Sequence, residues 1–257
     1  MRGAVDINNL LPHLKRDMDD CALLLDVDGT ILDLAPTPRE VYVSSELRHI
    51  LTRLRERTRG AIAFVSGRGI NELDLIFAPL SLAAVGNHGA EIRATHDGEI
   101  ELQSVRPLAT KIKQKFAAIA EAGPGIVVED KTYSIALHYR LAPDQEDYVR
   151  RTAAAICEDL SGLGLELLPG KAVIEIKQVG ISKATGVRKL MSASPFRGRK
   201  PIFIGDDVTD EAVFPVIPEY DGFSFSVGRH IPDLDGCFNS PHEVRKWLQT
   251  LAVGTTP

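Results

Sequence analysis

The segment Leu23-Leu24-Leu25-Asp26-Val27-Asp28-Gly29-Thr30 places two aspartates, one residue apart, directly after an apolar run. A short apolar run followed by Asp-Gly is typical of a buried strand that enters a tight turn. Asp26 and Asp28 would then lie at the carboxyl end of that strand, which is where open α/β sheets bind their ligands. The segment therefore predicts a buried strand of a parallel sheet with a candidate site at its end.

The two carboxylates of this segment are expected to need a counter-charge. At a separation of ~4 Å and an effective dielectric constant of ~20, two carboxylates repel each other by ~4 kcal/mol. A divalent cation removes that penalty, and Mg²⁺ suits the site because it takes one or two carboxylates and completes its shell with water and substrate phosphate. The alternative interpretation is an ordinary Asp-Gly surface turn, since such turns are common.

Length and composition limit the classes of function. The chain has 257 residues, 44% of them hydrophobic, which is enough for one large or two modest globular domains. Its formal net charge of -5, without a basic run, argues against nucleic-acid binding and favours a small soluble partner. We expect no signal peptide in residues 1–20 and no membrane span, and hence a cytoplasmic protein. Cys21, Cys157 and Cys237 are too far apart to suggest disulfides or a zinc site.

Strands and helices alternate in the first part of the chain and again after residue 180. The hydrophobic patterns predict strands at 21–25, 61–65, 82–85 and 201–204, and helices at 43–58, 71–77 and 183–191. This alternation predicts an α/β domain with a parallel sheet that is covered on both faces.

The middle of the chain has a different order of elements. It predicts helices at 107–122 and 144–160, strands at 126–130 and 133–140, and a second hairpin from 165–168 to 173–177 through Pro169-Gly170. This order is typical of an α+β layer with one sheet face free. We therefore predict a discontinuous core domain, residues 1–103 and 180–257, with a second domain inserted at 104–179.

Four segments at predicted strand ends or just before a helix carry the groups that phosphoryl transfer requires. A carboxylate can act as nucleophile, a hydroxyl and a lysine can hold phosphate oxygens, and a distant carboxylate can complete a metal site. Each of these features is common in other roles when it occurs alone: a Ser-Gly turn, a lysine or an Asp pair. It is the order in which they occur along the chain that favours the functional interpretation. The segments are Asp26-Val27-Asp28, Ser66-Gly67-Arg68, Lys183 and Gly205-Asp206-Asp207.

In this order the four segments resemble the motifs of the haloacid dehalogenase superfamily, whose phosphatases carry a cap domain between the second and third motifs. Further segments resemble the trehalose-6-phosphate phosphatase family within it, and the match covers about residues 22–235. They are Gly86-Asn87-His88-Gly89, Val128-Glu129-Asp130-Lys131, Ser134, His138-Tyr139-Arg140, Gly170-Lys171, Glu175-Ile176-Lys177 and the acidic stretch from Gly205 to Glu211.

This resemblance implies a Rossmann-like hydrolase core with an inserted α+β cap, and Mg²⁺-dependent hydrolysis of trehalose 6-phosphate. Asp26 would attack phosphorus and form an aspartyl-phosphate. Asp28 would protonate the leaving sugar oxygen and later take a proton from the hydrolytic water. Ser66 and Lys183 would bind the transferring phosphoryl group, where positioning and charge neutralisation supply most of the catalysis.

The resemblance also implies a set of metal ligands. Mg²⁺ would be held by the carboxylates of Asp26 and Asp206 and by the backbone carbonyl of Asp28. Asp207 would orient a metal-bound water or hold Lys183, as carboxylates next to a metal site commonly do.

Substrate selection is expected to come from the inserted domain. Residues two apart on a strand share a face, which puts Glu129 with Lys131 and Glu175 with Lys177. Charged groups form strong hydrogen bonds with sugar hydroxyls, so these pairs are candidate substrate contacts, although a solvated sheet face would look the same. His88 is also open to interpretation as an ordinary turn residue. Further candidate contacts are Gly67, Arg68, His88 and Arg140.

Three other functions remain open at this point. The nearest is a phosphatase of another glycosyl phosphate, such as sucrose-6-phosphate or mannosyl-3-phosphoglycerate, which would share the core chemistry. The second is a non-catalytic sugar-phosphate sensor, against which the intact nucleophile, lysine and metal carboxylates argue. The third is association with a trehalose-phosphate synthase, on which the sequence is silent.

Overall fold

The computed structural model describes residues 18–35, 40–103 and 107–253. Residues 1–17 of the amino-terminal segment, and residues 104–106 at the first predicted domain boundary, lie outside these ranges. The strands within them are β1 (Cys21–Leu25), β2 (Ile62–Val65), β3 (Ala83–Gly86), β4 (Glu91–Arg93), β5 (Glu101–Leu102), β6 (Val127–Asp130), β7 (Ser134–His138), β8 (Leu165–Gly170), β9 (Val173–Gln178), β10 (Lys200–Gly205), β11 (Phe223–Val227) and β12 (Gly236–Phe238).

The helices follow the amphipathic patterns of the sequence. The α-helices are α1 (Ser45–Arg57), α2 (Ile70–Phe77), α3 (Thr110–Ala117), α4 (Glu146–Asp159), α5 (Lys183–Met191) and α6 (Pro241–Ala252). The 3₁₀ helices are at Met18–Asp20, Asn87–Gly89, Ala118–Ala122, Pro143–Gln145, Ser161–Leu163, Val208–Asp210 and Phe214–Tyr220. Of the helices in the described ranges, none has the length and apolar character needed to cross a membrane.

The larger sheet has the strand order β12-β11-β10-β1-β2-β3-β4-β5. Strand β1 lies between β10 and β2 and pairs with both in parallel, so the predicted parallel sheet is confirmed. At one edge β4 and β5 run antiparallel, which the sequence analysis did not predict. These strands have only three and two residues, too few to show a hydrophobic period.

Both faces of β1 are covered because its side chains alternate between two apolar layers. Leu23 and Leu25 pack in the layer that contains α1 and α6, whereas Ala22 and Leu24 pack in the layer that contains α5. All five residues of β1 are buried. This burial explains the uninterrupted apolar run that precedes Asp26.

The inserted region forms a second sheet with the order β6-β7-β9-β8, in which all neighbours are antiparallel. Both predicted hairpins therefore lie in one sheet, and residues of α3 and α4 cover one of its faces. The second hairpin turns later than predicted. Pro169 and Gly170 still pair with β9, and the chain reverses at Lys171 and Ala172, where Ala172 has a φ of 59°.

The other face of this smaller sheet carries charged side chains and meets the carboxyl ends of the core strands. Lys131 Nζ lies 3.2 Å from the carbonyl oxygen of Gly67. His88, in the loop after β3, contacts Glu175 on β9. Arg140 donates to the carbonyl oxygen of Ala35. These contacts bring the charged face above the predicted catalytic segments.

Candidate active site

Asp26 and Asp206 come together because they follow neighbouring parallel strands. Leu25 of β1 pairs with Ile204 of β10, so the residues after each strand emerge at the same edge of the sheet. Both aspartates are buried. Asp26, Asp206 and Asp210 each offer a carboxylate oxygen, and the three oxygens lie within 4.8 Å of one another.

This cluster is short of positive charge. Burial, followed by the charge of Asp210, raises the pKa of Asp26 to about 7. Burial, followed by the charge of Asp26, raises the pKa of Asp206 to about 7 as well. Ionising both carboxyl groups at neutral pH therefore costs free energy unless a further cation is present.

Lys183, the first residue of α5, is the buried cation of the cluster. Its Nζ lies 2.7 Å from Asp26 Oδ1 and 2.8 Å from Asp210 Oδ1. Burial opposes its charge, but Asp210 and Asp26 outweigh burial and raise the pKa of Lys183. Asp210 Oδ2 accepts backbone hydrogen bonds from Asp206 and Asp207, both at 3.0 Å. Asp210 is thus the second carboxylate on Lys183, which leaves for Asp207 the other of its two predicted roles, orienting a metal-bound water.

The turn after β1 is packed tightly against Asp206. Thr30 Oγ1 donates to Asp26 Oδ2 at 2.9 Å, which orients that carboxylate. Gly29 has a φ of +83°, and a Cβ there would lie 2.3 Å from Asp206 Oδ2. Only glycine satisfies both the left-handed backbone and this close approach.

Asp28 is held by a guanidinium group. Arg68 Nε lies 2.6 Å from Asp28 Oδ2, and Arg68 Nη2 lies 2.8 Å from Oδ1. Arg68 also pairs with Glu72, one turn along the chain. Its pKa is raised because the hydrogen bond and charge of Asp28 outweigh burial. Such a two-point contact fixes the carboxylate plane.

Ser66 and Gly67 follow β2 and form the neighbouring wall. Ser66 is buried, and its Oγ accepts a hydrogen bond from Arg68 N at 3.1 Å. The carbonyl oxygen of Ser66 accepts from His88 N at 3.1 Å. This backbone hydrogen bond joins the loop after β3 to the loop after β2 at Ser66 itself.

The charged sheet face has a different balance of charge. Glu129 and Glu175 are both opposite Ala136 of β7, one on each side, so their side chains share a face. Lys131 Nζ lies 3.2 Å from Glu175 Oε2 and 3.9 Å from Glu129 Oε2. His138 Nε2 is 2.8 Å from Glu129 Oε2.

The pKa values of these glutamates are lowered. For Glu175, burial opposes ionisation, but His88 and Lys131 outweigh it and hold the pKa well below its usual range. For Glu129, the hydrogen bond from His138 and the charge of Lys131 outweigh burial. Burial alone would lower the pKa of Lys131, but Glu175 and Glu129 raise it. Both glutamates are thus ionised and already partnered.

Two cations of the inserted region reach into the core. Lys171, in the turn between β8 and β9, places Nζ 2.5 Å from Asp206 Oδ2. Arg140 contacts the carbonyl oxygen of Ala35, beyond the turn that follows β1. The smaller sheet therefore supplies positive charge to the acidic cluster as well as a face above it.

Nearly all of the predicted site residues line one cavity. Lys177 is the exception: it is buried and contacts Glu166 and the carbonyl oxygen of Ile181. Three further residues of the site, Lys171, His138 and Asp210, were not predicted individually, although each lies within a motif that was. The predicted residues that line the cavity are Asp26, Asp28, Ser66, Gly67, Arg68, His88, Glu129, Lys131, Arg140, Glu175, Lys183, Asp206 and Asp207.

Comparisons with known proteins identify the family of the chain. Residues 24–238 match the model of the trehalose-phosphatase family. A probable trehalose-phosphate phosphatase of Sinorhizobium fredii is 35% identical over 95% of this chain and 92% of its own. The trehalose-6-phosphate phosphatase of Escherichia coli is 33% identical over 90% of this chain and 86% of its own.

The fold is shared with solved structures. The C-terminal domain of Candida albicans trehalose-6-phosphate phosphatase superposes with a TM-score of 0.86, 21% identity and 98% coverage of both chains.

A longer relative is the bifunctional trehalose-6-phosphate synthase/phosphatase of Thermoproteus tenax. It is 34% identical over 77% of this chain, and the match covers 27% of its own length. By the extent of the family match and the identity to its relatives, the chain belongs to the trehalose-phosphatase family, a family of phosphatases.

Proposed function

We propose that this protein hydrolyses trehalose 6-phosphate to trehalose and phosphate, with Mg²⁺ and through an aspartyl-phosphate on Asp26. The observation that carries the proposal is the single cavity in which a buried Asp-Lys cluster faces a sheet of partnered glutamates. The cluster suits a phosphoryl group and the sheet suits sugar hydroxyls. The family of the chain supports the choice of sugar.

The residues present fit a divalent cation. The carboxylates of Asp26 and Asp206 are buried side by side, and their pKa values of about 7 reflect missing positive charge. Asp210 is fully buried, does not line the cavity and accepts three hydrogen bonds, so it is better suited to bracing Lys183. We assign the ligands to Asp26, Asp206 and the Asp28 carbonyl, with Asp207 beside them. Mg²⁺ bound there would neutralise charge on the phosphoryl oxygens.

In the first half of the reaction, the Asp26 carboxylate attacks phosphorus and the bond from phosphorus to the sugar oxygen breaks. Thr30 and Lys183 hold the two Asp26 oxygens, so the nucleophile is oriented before substrate arrives. Lys183 and Ser66 would then bind phosphoryl oxygens. One of the two hydrogen bonds between Asp28 and Arg68 must break before the Asp28 carboxyl can donate a proton to the leaving sugar oxygen.

In the second half, water attacks phosphorus and the bond to Asp26 breaks. After the first half Asp28 is a carboxylate that can accept both Arg68 hydrogen bonds, and it takes the proton from that water to return to the carboxyl form that donates to the next sugar. Phosphate leaves, and Asp26 is restored. Each proton given to the sugar is thus recovered from water through the same carboxyl group.

The sugar is proposed to bind against the smaller sheet. Glu129, Lys131 and Glu175 lie on one face, and each keeps lone pairs or protons for further hydrogen bonds. Arg140, Gly67, Arg68 and His88 line the same cavity. Lys177 was also predicted to contact substrate, and its contact with Glu166 makes it a weaker candidate than the others.

A phosphate-release panel tests the proposal. With Mg²⁺, we expect a kcat/KM for trehalose 6-phosphate at least ~10-fold above those for glucose 6-phosphate, sucrose 6-phosphate and mannosyl-3-phosphoglycerate, since partnered charges discriminate strongly among hydroxyl patterns. EDTA should abolish turnover. Equal or faster hydrolysis of another sugar phosphate would identify the alternative glycosyl-phosphate phosphatase and refute the choice of trehalose.

Three further predictions accompany this function. We infer that residues 1–103 and 180–257 act as the catalytic core and that residues 104–179 act as its cap. The synthase-phosphatase relative of Thermoproteus tenax motivates the proposal that the chain associates with a trehalose-phosphate synthase. The cytoplasmic location remains a prediction from the sequence.

A further inference from the structure

A buried histidine joins the core to Glu175 of the smaller sheet. His88 Nε2 lies 2.8 Å from Glu175 Oε2, and both side chains are more than nine-tenths buried. The other Glu175 oxygen accepts a hydrogen bond from Ser134 Oγ. Of these three residues, only His88 belongs to the larger sheet and its loops, so the glutamate is held from both sides of the cavity.

The proton of His88 can be placed by chemistry. An ionised carboxylate only accepts hydrogen bonds, so the ring nitrogen that faces Glu175 must carry hydrogen. Burial lowers the pKa of His88, against the opposing effect of Glu175, so the ring is neutral at pH 7. A neutral imidazole has one hydrogen, which leaves Nδ1 unprotonated. Nδ1 is buried and has no hydrogen-bond partner within the described ranges.

The backbone holds His88 in an uncommon conformation. Asn87 and His88 both have positive φ values, 47° and 54°. Backbone hydrogen bonds to Arg68 O and Ser66 O fix this loop to the one that carries the catalytic serine. Gly67 leaves room for the ring, because a Cβ there would lie 2.5 Å from His88 Nε2. Strain of this kind persists where the surrounding structure enforces it, commonly at functional sites.

We propose that His88 is a positioning residue that acts through Glu175 rather than by touching substrate. Its Nε2–H fixes the orientation of the Glu175 carboxylate relative to Ser66. The sugar-binding face and the phosphate-binding loop are thereby set at the distance that one sugar phosphate spans. This role rests on the proposed sugar site, and it assigns specificity to a residue of the core.

Two substitutions separate the hydrogen bond from simple filling of space. In H88Q the amide nitrogen reaches the position of Nε2 and can still donate to Glu175, whereas in H88N it ends near the position of Nδ1. A hydrogen bond to a charged group contributes ~1.5–3 kcal/mol, so we expect H88N to raise KM for trehalose 6-phosphate ~10- to 100-fold. H88Q should stay within ~3-fold of wild type, with kcat little changed in both.

The partner is tested by a double-mutant cycle with E175Q. If His88 acts through Glu175, H88N should change KM less than ~3-fold in the E175Q background, because contacting residues are not additive. H88N should lose more kcat/KM for trehalose 6-phosphate than for a small aryl phosphate, because the aryl phosphate lacks the sugar that Glu175 is proposed to bind. Multiplicative effects in the cycle, an unchanged KM in H88N, or equal losses in H88N and H88Q would each overturn the proposal.

A measurement on the unmodified protein keeps the proposal testable if H88N does not fold. The ¹⁵N chemical shifts of the His88 ring should identify a neutral imidazole with hydrogen on Nε2, and hydrogen on Nδ1 would overturn the assignment. Failure of the proposed function would look different. Wild type would then show no preference for trehalose 6-phosphate, whereas failure of this inference alone leaves that preference intact in H88N.

Discussion

The pKa values of the two carboxylate clusters that share the cavity are shifted in opposite directions. In the core, the pKa values of Asp26 and Asp206 are raised to about 7, because burial and the charges of neighbouring aspartates exceed the help from Lys183 and Lys171 respectively. On the smaller sheet, the pKa values of Glu129 and Glu175 are lowered. Both pairs are largely buried, so burial alone does not separate them.

The difference lies in the supply of partners. Each glutamate has its own histidine donor and shares Lys131. Asp26 shares Lys183 with Asp210, and within the described ranges Asp206 has only the half-exposed Lys171 as a cationic partner. A carboxylate cluster that lacks positive charge attracts a metal ion and orders it at the reacting group. A cluster whose carboxylates already have cationic or hydrogen-bonding partners can recognise neutral hydroxyls. The comparison predicts that the two clusters respond differently to substitution.

The largest effect is expected for D26N. The substitution keeps the shape of the side chain but removes the nucleophile, so hydrolysis of every phosphate ester should fall at least ~10⁴-fold. The thermal midpoint in EDTA should not fall, because the lost carboxylate is costly to ionise when buried. Phosphate release and calorimetry measure the two results. Normal turnover by D26N would exclude an aspartyl-phosphate on this residue.

On the glutamate side, K131M should be selective for substrate. Removing the ammonium leaves two ionised glutamates without their shared cation, so kcat/KM for trehalose 6-phosphate should fall ~100-fold. Turnover of a small aryl phosphate should change less than ~3-fold, because the core cluster is untouched. Steady-state kinetics with both substrates gives the ratio.

Lys113 provides a matched control for that experiment. Its side chain is 14% exposed, as is that of Lys131, and it pairs with Asp130 and donates to the carbonyl oxygen of Lys131, so K113M removes a neighbouring ammonium but keeps the Lys131 charge. K113M should leave both substrates within ~2-fold of wild type, as expected for an ion pair with an exposed partner. Equal losses for the two substrates in K131M would mean that Lys131 serves the core and would weaken the distinction between the clusters.

The pH dependence of stability should carry opposite signs for the two clusters. With a folded pKa of about 7 and an ordinary value of 3.8, Asp26 and Asp206 bind more protons when folded. In EDTA the free energy of unfolding should therefore fall by several kcal/mol in total as pH rises from about 4 to 7. Glu129 and Glu175 have lowered pKa values, so their contribution is present above pH 4.5 and is lost as pH falls.

Urea unfolding across this pH range, with and without Mg²⁺, measures both slopes. Mg²⁺ should remove the decline between pH 4 and 7 by neutralising the aspartates, and the double variant D26N/D206N should remove it without metal. The decline at lower pH should persist in that variant. A decline between pH 4 and 7 that survives the double substitution would show that other groups cause it.

Hydrophobic spacing predicted many of the longer elements, but β11 (Phe223–Val227) and α6 (Pro241–Ala252) were not predicted despite their length. The apolar run of β1 and the periodic helices α1 and α5 needed only hydrophobic spacing, and the structure confirms them. Strands β4, β5 and β12 have two or three residues, too few to show a period. The turn at Lys171 and Ala172 was misplaced because Pro-Gly is a strong turn signal that here remains within β8.

For the site, sequence order was sufficient to nominate residues but not to pair them. Asp26, Lys183 and Asp206 were nominated because each stands where a strand ends or a helix begins. That Lys183 lies between Asp26 and Asp210 depends on the crossing of α5 over the sheet, which no local pattern encodes. The contact between His88 and Glu175, 87 residues apart, is likewise a product of how the two sheets face each other.

The smallest effect is expected where the two clusters meet, at Lys171. Its ammonium occupies one oxygen of Asp206, so a divalent cation that binds Asp206 must displace or repel it. The Lys171 side chain is 46% exposed, and such a pair contributes only ~1 kcal/mol, so K171M should tighten Mg²⁺ binding to the metal-free protein ~5-fold. Titration calorimetry measures this. K189M, at an exposed lysine near Glu101, should bind Mg²⁺ like wild type. Weaker binding by K171M would instead mean that Lys171 helps to assemble the metal site, and that the core depends on the smaller sheet before any sugar arrives.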